Sequence, residues 1–461
     1  MADLAVIILA GGQGKRMKSE TPKPLIPVCG KPMIIHVLDS VQLLAPGRII
    51  VVAGHGRDQL IAALAQRSVD FAIQDPPLGT GHAVQCAAPL LEDWSGDVLV
   101  TCADVPLVRP ETFQQLIQTH RSEKAAATLL TGELSDPTGY GRIVRDKDGF
   151  VRAIVEEADA SDEVRAIREV NLGVYVFQAP PLLEALRDLQ PANAQGEYYL
   201  TDVISIFAVR GLKIAAHLTA TPEEAIGIND RVQLARAEAM ARDRIRRRLM
   251  LDGVTIIDPS STYIDDEVQI GRDTTILPGT HILGRCTIGS GCTIGPDAYI
   301  EASSIGDGTS VLVGAVIRDS SIGSGCTIGP YCHIRNSSRI HDRVRIGSYT
   351  EVVRSEILPG TKALHFCYLG DAKVGPDANV GAGVVTCNYD GRQKHPTVIE
   401  SGAFVGSDAI LVAPVVIGEG AYIATGSVIT DDVPAGALAI ARERQSIKED
   451  WARRRFQDRG Q

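Results

Sequence analysis

No two of the nine cysteines stand at CxxC spacing, and Cys286/Cys292 and Cys326/Cys332 are instead six residues apart. They read as small packing residues rather than as metal ligands or disulfides. Long apolar runs are missing too. Val6–Ala10 is far too short for a membrane span or a signal-peptide core, so the chain reads as cytoplasmic, with no membrane insertion. An excess of positive charge is also lacking: charged residues make up 22% and the formal net charge is −10. That argues against nucleic acid as a partner. Anionic ligands then require local basic groups or a metal ion.

What is present divides the chain. From Ile264 an aliphatic residue returns at every sixth position, at Ile264, Ile270, Ile276, Ile282, Ile288, Ile294 and Ile300. Six matches neither strand alternation nor the helical period. A short strand plus a turn, repeated as the flat sides of a parallel β-solenoid, explains it, with one inward apolar side chain per repeat. The step shortens to five at Ile300–Ile305, Ile317–Ile322 and Val352–Ile357, and the register returns as Ile399, Val405, Leu411, Ile417, Ile423 and Ile429. Residues 386–398, TCNYDGRQKHPTV, break the hexad. Such an insertion usually leaves a solenoid as a loop, often on its binding face. His281, His333 and His341 read as corner residues.

The chain opens on an apolar strand (AVIILA), a glycine-rich turn (GGQGKR) and a helix, with further apolar strands at Arg48–Val52 and Asp97–Thr101. This alternation builds a doubly wound, Rossmann-like α/β sheet, whose ligands sit beyond the carboxyl ends of the strands. LAGGQGKRM is neither a Walker A loop nor a dinucleotide GxGxxG motif. It still offers backbone N–H groups, Lys15 and Arg16 to an anion, and Lys23 adds a third cation. Asp104 emerges after the strand VLVTC over the same crevice. There one Asp with one distant amide is enough protein ligation for Mg²⁺. Residues 230–251 lack Gly and Pro and read as one helix, about 33 Å long. The expected layout is 1–229, a linker helix 230–251, and a β-helix 252–461 with a C-terminal tail. In that tail Gln445–Arg459 reads as a solvated helix.

A series of motifs runs through the first half: LAGGQGKRM with PKPL, QDPPLGTGHA (74–83), ADVPL (103–107), DPTGYGRI (136–143), IVEEADA (154–160), EVNLGVYVF (169–177) and NAQGEYYLTD (193–202). They resemble the sugar-nucleotide pyrophosphorylases. With the hexad solenoid and GAGVVTCNYDG behind them, the chain from Val6 to about Arg442 is similar to the bacterial bifunctional N-acetylglucosamine-1-phosphate uridylyltransferase/glucosamine-1-phosphate N-acetyltransferase family. That resemblance implies a left-handed β-helix, a homotrimer with pockets between subunits, Mg²⁺ as cofactor, and the substrates UTP and acetyl-CoA.

For uridylyl transfer the resemblance implies that Arg16 and Lys23 neutralise the triphosphate and that Asp104 and Asn229 hold the metal. Leu9, Ala10, Gly11 and Gly12 back the nucleotide, and Gln74 with Gly79 and Thr80 reads the uracil edge, since an amide donates and accepts at once. Gly141, Glu156, Asn171, Tyr199 and Thr201 line the sugar pocket. A phosphate monoester is already anionic, so no strong base is needed. Acetyl transfer to an amine needs a base near neutral pH, which suits the imidazole of His365 in TKALHFCYLGDAKVG, with Glu351 orienting or assisting it.

Arg335, Glu351, Arg354, Tyr368, Asn379 and Lys394 are implied to grip glucosamine-1-phosphate, joined by Asn388 and Tyr389 on the insertion. Ala382, Asn388, Tyr389, Ser407, Thr425 and Arg442 are implied to contact acetyl-CoA. Cys102, Ala103 and Val353 depart from the family pattern, the last where a phosphate-facing lysine is expected. Arg354 takes over only if a bulge or corner turns it. The competing reading is a single-activity sugar-1-phosphate nucleotidyltransferase whose β-helix oligomerises or regulates. It leaves His365 and GAGVVTCNYDG unused.

Overall fold

A computed structural model of the protein describes residues 3–456. Trp451–Phe456 is an exposed helix, and the end of the expected tail helix, 457–459, lies outside the described residues. The chain divides into two compact units, Met1–Ala241 and Arg242–Gln461. The division falls inside one continuous helix, Arg231–Leu251.

In the first unit the aliphatic runs form a mixed sheet in the order Ile214–Leu218, Ala127–Glu133, Glu169–Gln178, Asp97–Cys102, Leu4–Ala10, Arg48–Ala53, Asp70–Ile73. Glu169–Gln178 runs antiparallel to both neighbours, and the other pairs are parallel. Alternate residues of the first strand serve opposite faces. Leu4, Val6, Ile8 and Ala10 enter one core, Ala5 and Ile7 the other. Helix Met33–Gln42 covers one face with Met33, Ile34, Val37, Leu38 and Val41 at helical spacing. The chain builds outward to Asp70–Ile73, then crosses back to Asp97–Cys102, so the ends of Leu4–Ala10 and Asp97–Cys102 flank a switch-point crevice.

One expectation is corrected here. The glycine-rich turn does not lead into an α-helix; two 3₁₀ turns, Lys15–Met17 and Lys23–Leu25, follow it, and the helix begins only at Met33. Pro22, Pro24 and Pro27 remove backbone donors through that stretch, which prevents continuous helix.

The second unit consists of three parallel sheets of 11, 10 and 9 short strands, with successive strands in different sheets. Ile264 pairs with Ile282 and Ile282 with Ile300, one coil per three hexads. Each five-residue step shortens the coil by one residue, as where Ile288 pairs with Ile305.

The hexads from Thr274 to Ile300 bury two side chains each, not the single one expected. A small buried residue stands two positions before the aliphatic one: Thr274 before Ile276, Thr280 before Ile282, Cys286 before Ile288, Cys292 before Ile294, Ala298 before Ile300. Side chains two apart in extended chain point the same way. The threonine hydroxyls are satisfied by carbonyls, Thr274 Oγ1 donating to Gly289 O at 2.7 Å and Thr309 Oγ1 to Gly323 O at 2.8 Å, so their burial costs little. Cys286, Cys292, Cys326, Cys332 and Cys367 belong to this column as buried free thiols; burial pushes Cys332 up to about 12.

Two smaller corrections follow. The inward register continues through Ala363, Leu369, Val374, Val380 and Thr386, all buried. Val385–Cys387 and Thr397–Ile399 are strands, so only the residues between them leave the coil. His281 and His333 lie on strands, not at corners, and the His281 ring stacks 4.5 Å from that of Tyr263. Among the described residues no helix is long and apolar enough to cross a membrane.

Candidate functional site

The glycine-rich turn borders a cleft of about 570 Å³ lined by Leu9, Ala10, Gly11, Gly12, Arg16, Lys23, Gln74, Gly79, Thr80, Asp104 and Asn229, together with Cys102, Ala103 and Glu197. Glu197 is a lining residue that the sequence reading missed. Gly11 lies against Gln74: a Cβ there would stand 2.5 Å from Gln74 Oε1, so any side chain must push that amide aside. Gln74 is buried, and its Nε2 donates to Gly79 O at 2.8 Å. Gly79 has a φ of 109°, a conformation suited to glycine. The 198–200 segment is laced to this turn, with Gly81 N donating to Tyr198 O at 2.7 Å and Leu200 N to Thr80 Oγ1 at 3.0 Å.

Asp104 and Asn229 converge on a single cation position. Lys23 Nζ occupies it, 2.5 Å from Asp104 Oδ2 and 2.8 Å from Asn229 Oδ1. The Asp104 carbonyl accepts from Ile228 N at 2.9 Å, which ties the segment bearing Asn229 to the strand end. One carboxylate and one amide oxygen aimed at one cation suit a hard divalent ion that completes its shell with phosphate oxygens and water. Among the described residues no cluster of three or more His, Cys, Asp and Glu offers another metal site. Burial pushes the adjacent Cys102 thiol up to about 12, so it stays neutral beside Asp104. Arg16 is exposed at the rim.

A second group gathers around Glu156. Thr201 Oγ1 donates to Glu156 Oε1 at 3.2 Å. A Cβ on Gly141 would meet both carboxylate oxygens at 3.3 Å. Asn171 N donates to Gly141 O at 2.8 Å, and Asn171 Nδ2 to the Tyr175 hydroxyl at 2.7 Å. Burial raises the Glu156 carboxyl above its usual range and pushes the Tyr199 phenol up to about 12. Glu156 is thus a poorly hydrated acceptor for ligand hydroxyl or amide groups, and the Leu200–Thr80 bond joins this group to the cleft.

In the second unit His365 ends the strand Lys362–His365 at a corner; it is exposed, and its ring makes no hydrogen bond among the described residues. Ala382, Ser407 and Thr425 occupy the same corner in the following coils. The His365 carbonyl accepts from Gly383 N, that of Ala382 from Asp408 N, and that of Ser407 from Gly426 N. Arg442 follows Ala441, whose carbonyl accepts from Val428 N one coil further on.

Another corner carries Arg354 in a left-handed conformation, φ 49°, beside the buried Val353. This is the corner that turning Arg354 requires. Its Nε and Nη2 donate to Asp371 Oδ1 and Oδ2 at 2.6 and 2.8 Å. Asn388 Nδ2 donates to the same carboxylate, the charge of Lys394 acts on Asp371, and Tyr368 lies near Arg354. Arg354 holds the Asp371 carboxyl below the usual carboxylate range. Sequence reasoning missed Asp371, although its place one coil after Arg354 was a usable signal. Tyr389 bridges Lys394 across the insertion, and Asp390 pins that loop by accepting from Arg392 N and Gln393 N at 2.7 and 2.8 Å and pairing with His395 at 2.8 Å.

Within one chain Glu351 lies apart from His365: its Oε1 accepts from Arg335 Nε at 2.9 Å and lies 3.8 Å from His333 Nδ1, and its strand belongs to a different sheet from that of His365. Asn379, beside Phe404, lies on the His365 sheet, whereas Arg335 and Tyr368 share another.

Comparison with known proteins gives three family matches: a MobA-like NTP transferase domain over residues 6–198, a GMPPB C-terminal domain over 255–365, and bacterial transferase hexapeptide (six repeats) over 396–431. The second unit is accordingly a left-handed β-helix of hexapeptide repeats. Curated relatives cover almost the whole chain. Bifunctional protein GlmU of Geobacillus sp. (strain WCH70) is 53% identical over 97% of this chain and 97% of its own length. Those of Geobacillus thermodenitrificans and Halalkalibacterium halodurans are 51% and 48% identical, over 97% and 98% of this chain and 97% and 99% of their own lengths. With a relative of 53% identity matched over 97% of the chain, both halves included, the chain belongs to the bifunctional GlmU family.

Proposed function

We propose that the cleft of the first unit is the uridylyl-transfer site of this enzyme and the His365 corner of the second unit its acetyl-transfer site. As a member of its family the chain is a transferase with two activities. It acetylates glucosamine-1-phosphate from acetyl-CoA, and it joins N-acetylglucosamine-1-phosphate to UTP, giving UDP-N-acetylglucosamine and pyrophosphate.

In the cleft, a phosphate oxygen of the sugar phosphate attacks the α-phosphorus of UTP while the bond to the β-phosphate oxygen breaks and pyrophosphate leaves. The residues contribute position and charge. Arg16 faces the leaving phosphates, Gln74 with Gly79 and Thr80 the base, and Gly141, Glu156, Asn171, Tyr199 and Thr201 the sugar. Asp104 and Asn229 would hold Mg²⁺, and Lys23, released from them, would turn to the phosphates. The bound ion supplies charge neutralisation to both reactants.

At the corner, the substrate amine attacks the thioester carbonyl, His365 takes the amine proton, and the carbon–sulfur bond breaks to release coenzyme A. Arg335, Arg354, Tyr368, Asn388 and Lys394 hold the sugar phosphate; Ala382, Tyr389, Ser407, Thr425 and Arg442 contact acetyl-CoA. The exposed corner of one coil stack cannot enclose these substrates. A cyclic homotrimer completes the site, with Asn379 contributed from a neighbouring face. The enzyme acts in the cytoplasm on small-molecule substrates.

The observation that carries this reading is the meeting of Asp104 and Asn229 on one cation position beside the glycine-rich turn. Two assays test it: pyrophosphate release from UTP with N-acetylglucosamine-1-phosphate, and thiol release from acetyl-CoA with glucosamine-1-phosphate. Asp104→Ala is expected to abolish only the first and His365→Ala only the second. Loss of both in a folded single variant contradicts separate sites.

A further inference from the structure

Arg142 heads the fully buried side chains of the molecule by size, an unusual place for a guanidinium. Its Nη2 lies 2.8 Å from Glu157 Oε2, its Nη1 donates to the Tyr140 carbonyl, and its Nε is buried with no hydrogen-bond partner among the described residues. Glu157 Oε2 also accepts from Gly139 N at 3.3 Å. One ion pair therefore ties the 139–140 loop to the turn that opens at Glu157. A buried guanidinium with a single carboxylate partner is a poor source of stability, which points to a different reason for its presence.

That reason lies in its neighbours. Arg142 directly follows Gly141, and Glu157 directly follows Glu156. Arg142 pairs with Val155 across the two strands, and Glu157 opens the 3₁₀ turn just after them. The ion pair thus fastens together the two segments that present Gly141 and Glu156 to the sugar. A Cβ on Gly141 would stand 2.8 Å from Ile154 Cγ2 and 3.3 Å from both Glu156 carboxylate oxygens, so the gap is narrow and follows the separation of the two strands.

Building on the proposed sugar site, we propose that Arg142 and Glu157 are a positioning pair that sets the spacing of Gly141 and Glu156 and so the enzyme's discrimination at C2 of the sugar. Without Arg142, Glu157 is not stranded, because its side chain is 35% exposed and can hydrate. The turn is then free to drift, and Glu156 moves with it.

Steady-state uridylyl transfer by the full-length protein tests this with Arg142→Met, Arg142→Lys and Glu157→Gln. Arg142→Met is expected to raise KM for N-acetylglucosamine-1-phosphate about tenfold or more, equivalent to about 1.4 kcal/mol. It should leave KM for UTP within about twofold and lower the preference for N-acetylglucosamine-1-phosphate over glucose-1-phosphate by a similar factor. Arg142→Lys should recover part of the loss, since an ammonium can reach one of the two partners. Glu157→Gln keeps the shape and should shift KM in the same direction by less, which preserves the test if Arg142→Met fails to fold. Equal rises in both KM values, or unchanged discrimination in folded variants, overturn the inference. Failure of the wild-type protein to use N-acetylglucosamine-1-phosphate overturns instead the sugar-site reading on which it rests.

Discussion

The seat of Lys23 between Asp104 and Asn229 has a measurable consequence for metal binding. In the nucleotide-free protein a divalent ion must displace an ammonium held at 2.5 and 2.8 Å, with the Lys23 and Asp104 side chains only 12% and 26% exposed. Hydrogen bonds to charged groups contribute about 1.5–3 kcal/mol net. Lys23→Met removes the charge while keeping most of the stem, so it should relieve the ion of that competition. At about 1.4 kcal/mol per tenfold, Mn²⁺ should bind the nucleotide-free variant about 10- to 100-fold more tightly than the wild type. The signal of free Mn²⁺ in electron paramagnetic resonance titrations reads this directly, without turnover. Uridylyl transfer by the same variant should fall, because the ammonium no longer reaches the phosphates, so binding and activity move in opposite directions. Adding Asp104→Asn should cancel the gain. Equal Mn²⁺ affinity in wild type and Lys23→Met, with Asp104-dependent binding in both, would refute the competition while leaving the metal site standing.

Three further outcomes are expected. Gly11→Ala places a Cβ 2.5 Å from Gln74 Oε1 and should raise KM for UTP at least tenfold while acetyl transfer is unchanged; an unaffected KM would show that Gln74 does not meet the base. Burial raises the Glu156 pKa, so the acceptor is present above that raised value and lost as pH falls through it. KM for N-acetylglucosamine-1-phosphate should therefore climb on the acid side before KM for UTP does, and Glu156→Gln should flatten that limb. Arg354 depresses the Asp371 pKa, so the stability it brings is full above the unfolded value, about 3.9, and fades as pH falls through the lower folded value. Arg354→Met should cost about 1–3 kcal/mol near neutral pH and reduce the acid-side loss, as read by thermal melts at neutral pH and at about pH 3.

The solenoid is legible in the sequence because its interior takes one large side chain per hexad, which leaves Ile264 to Ile300 as an unbroken period. The second buried column escapes a hydrophobicity reading because Thr274, Thr280, Cys286 and Ser303 mix polar and apolar types; what they share is size. The nucleotide turn and Asp104 are legible from their places at strand ends. The meeting of Lys23 with Asp104 and Asn229 is not, because only the folded unit brings those three segments together. The setting of Glu351 is hidden for a related reason: its nearness to His365 in sequence masks the change of sheet at each corner, and its register partner on the face below is His333.

Neighbouring strands lie about 4.8 Å apart, so heights above His365 along its corner come in whole steps: Ala382 one, Ser407 two, Thr425 three. A long thin ligand laid against them meets a ruler whose divisions cannot be subdivided. Adding or deleting one coil between His365 and Arg442 changes the reach by about 4.8 Å and leaves every mark with its own shape. Tolerance for a longer or shorter acyl carrier is then gained by counting coils, without redesign of any single contact.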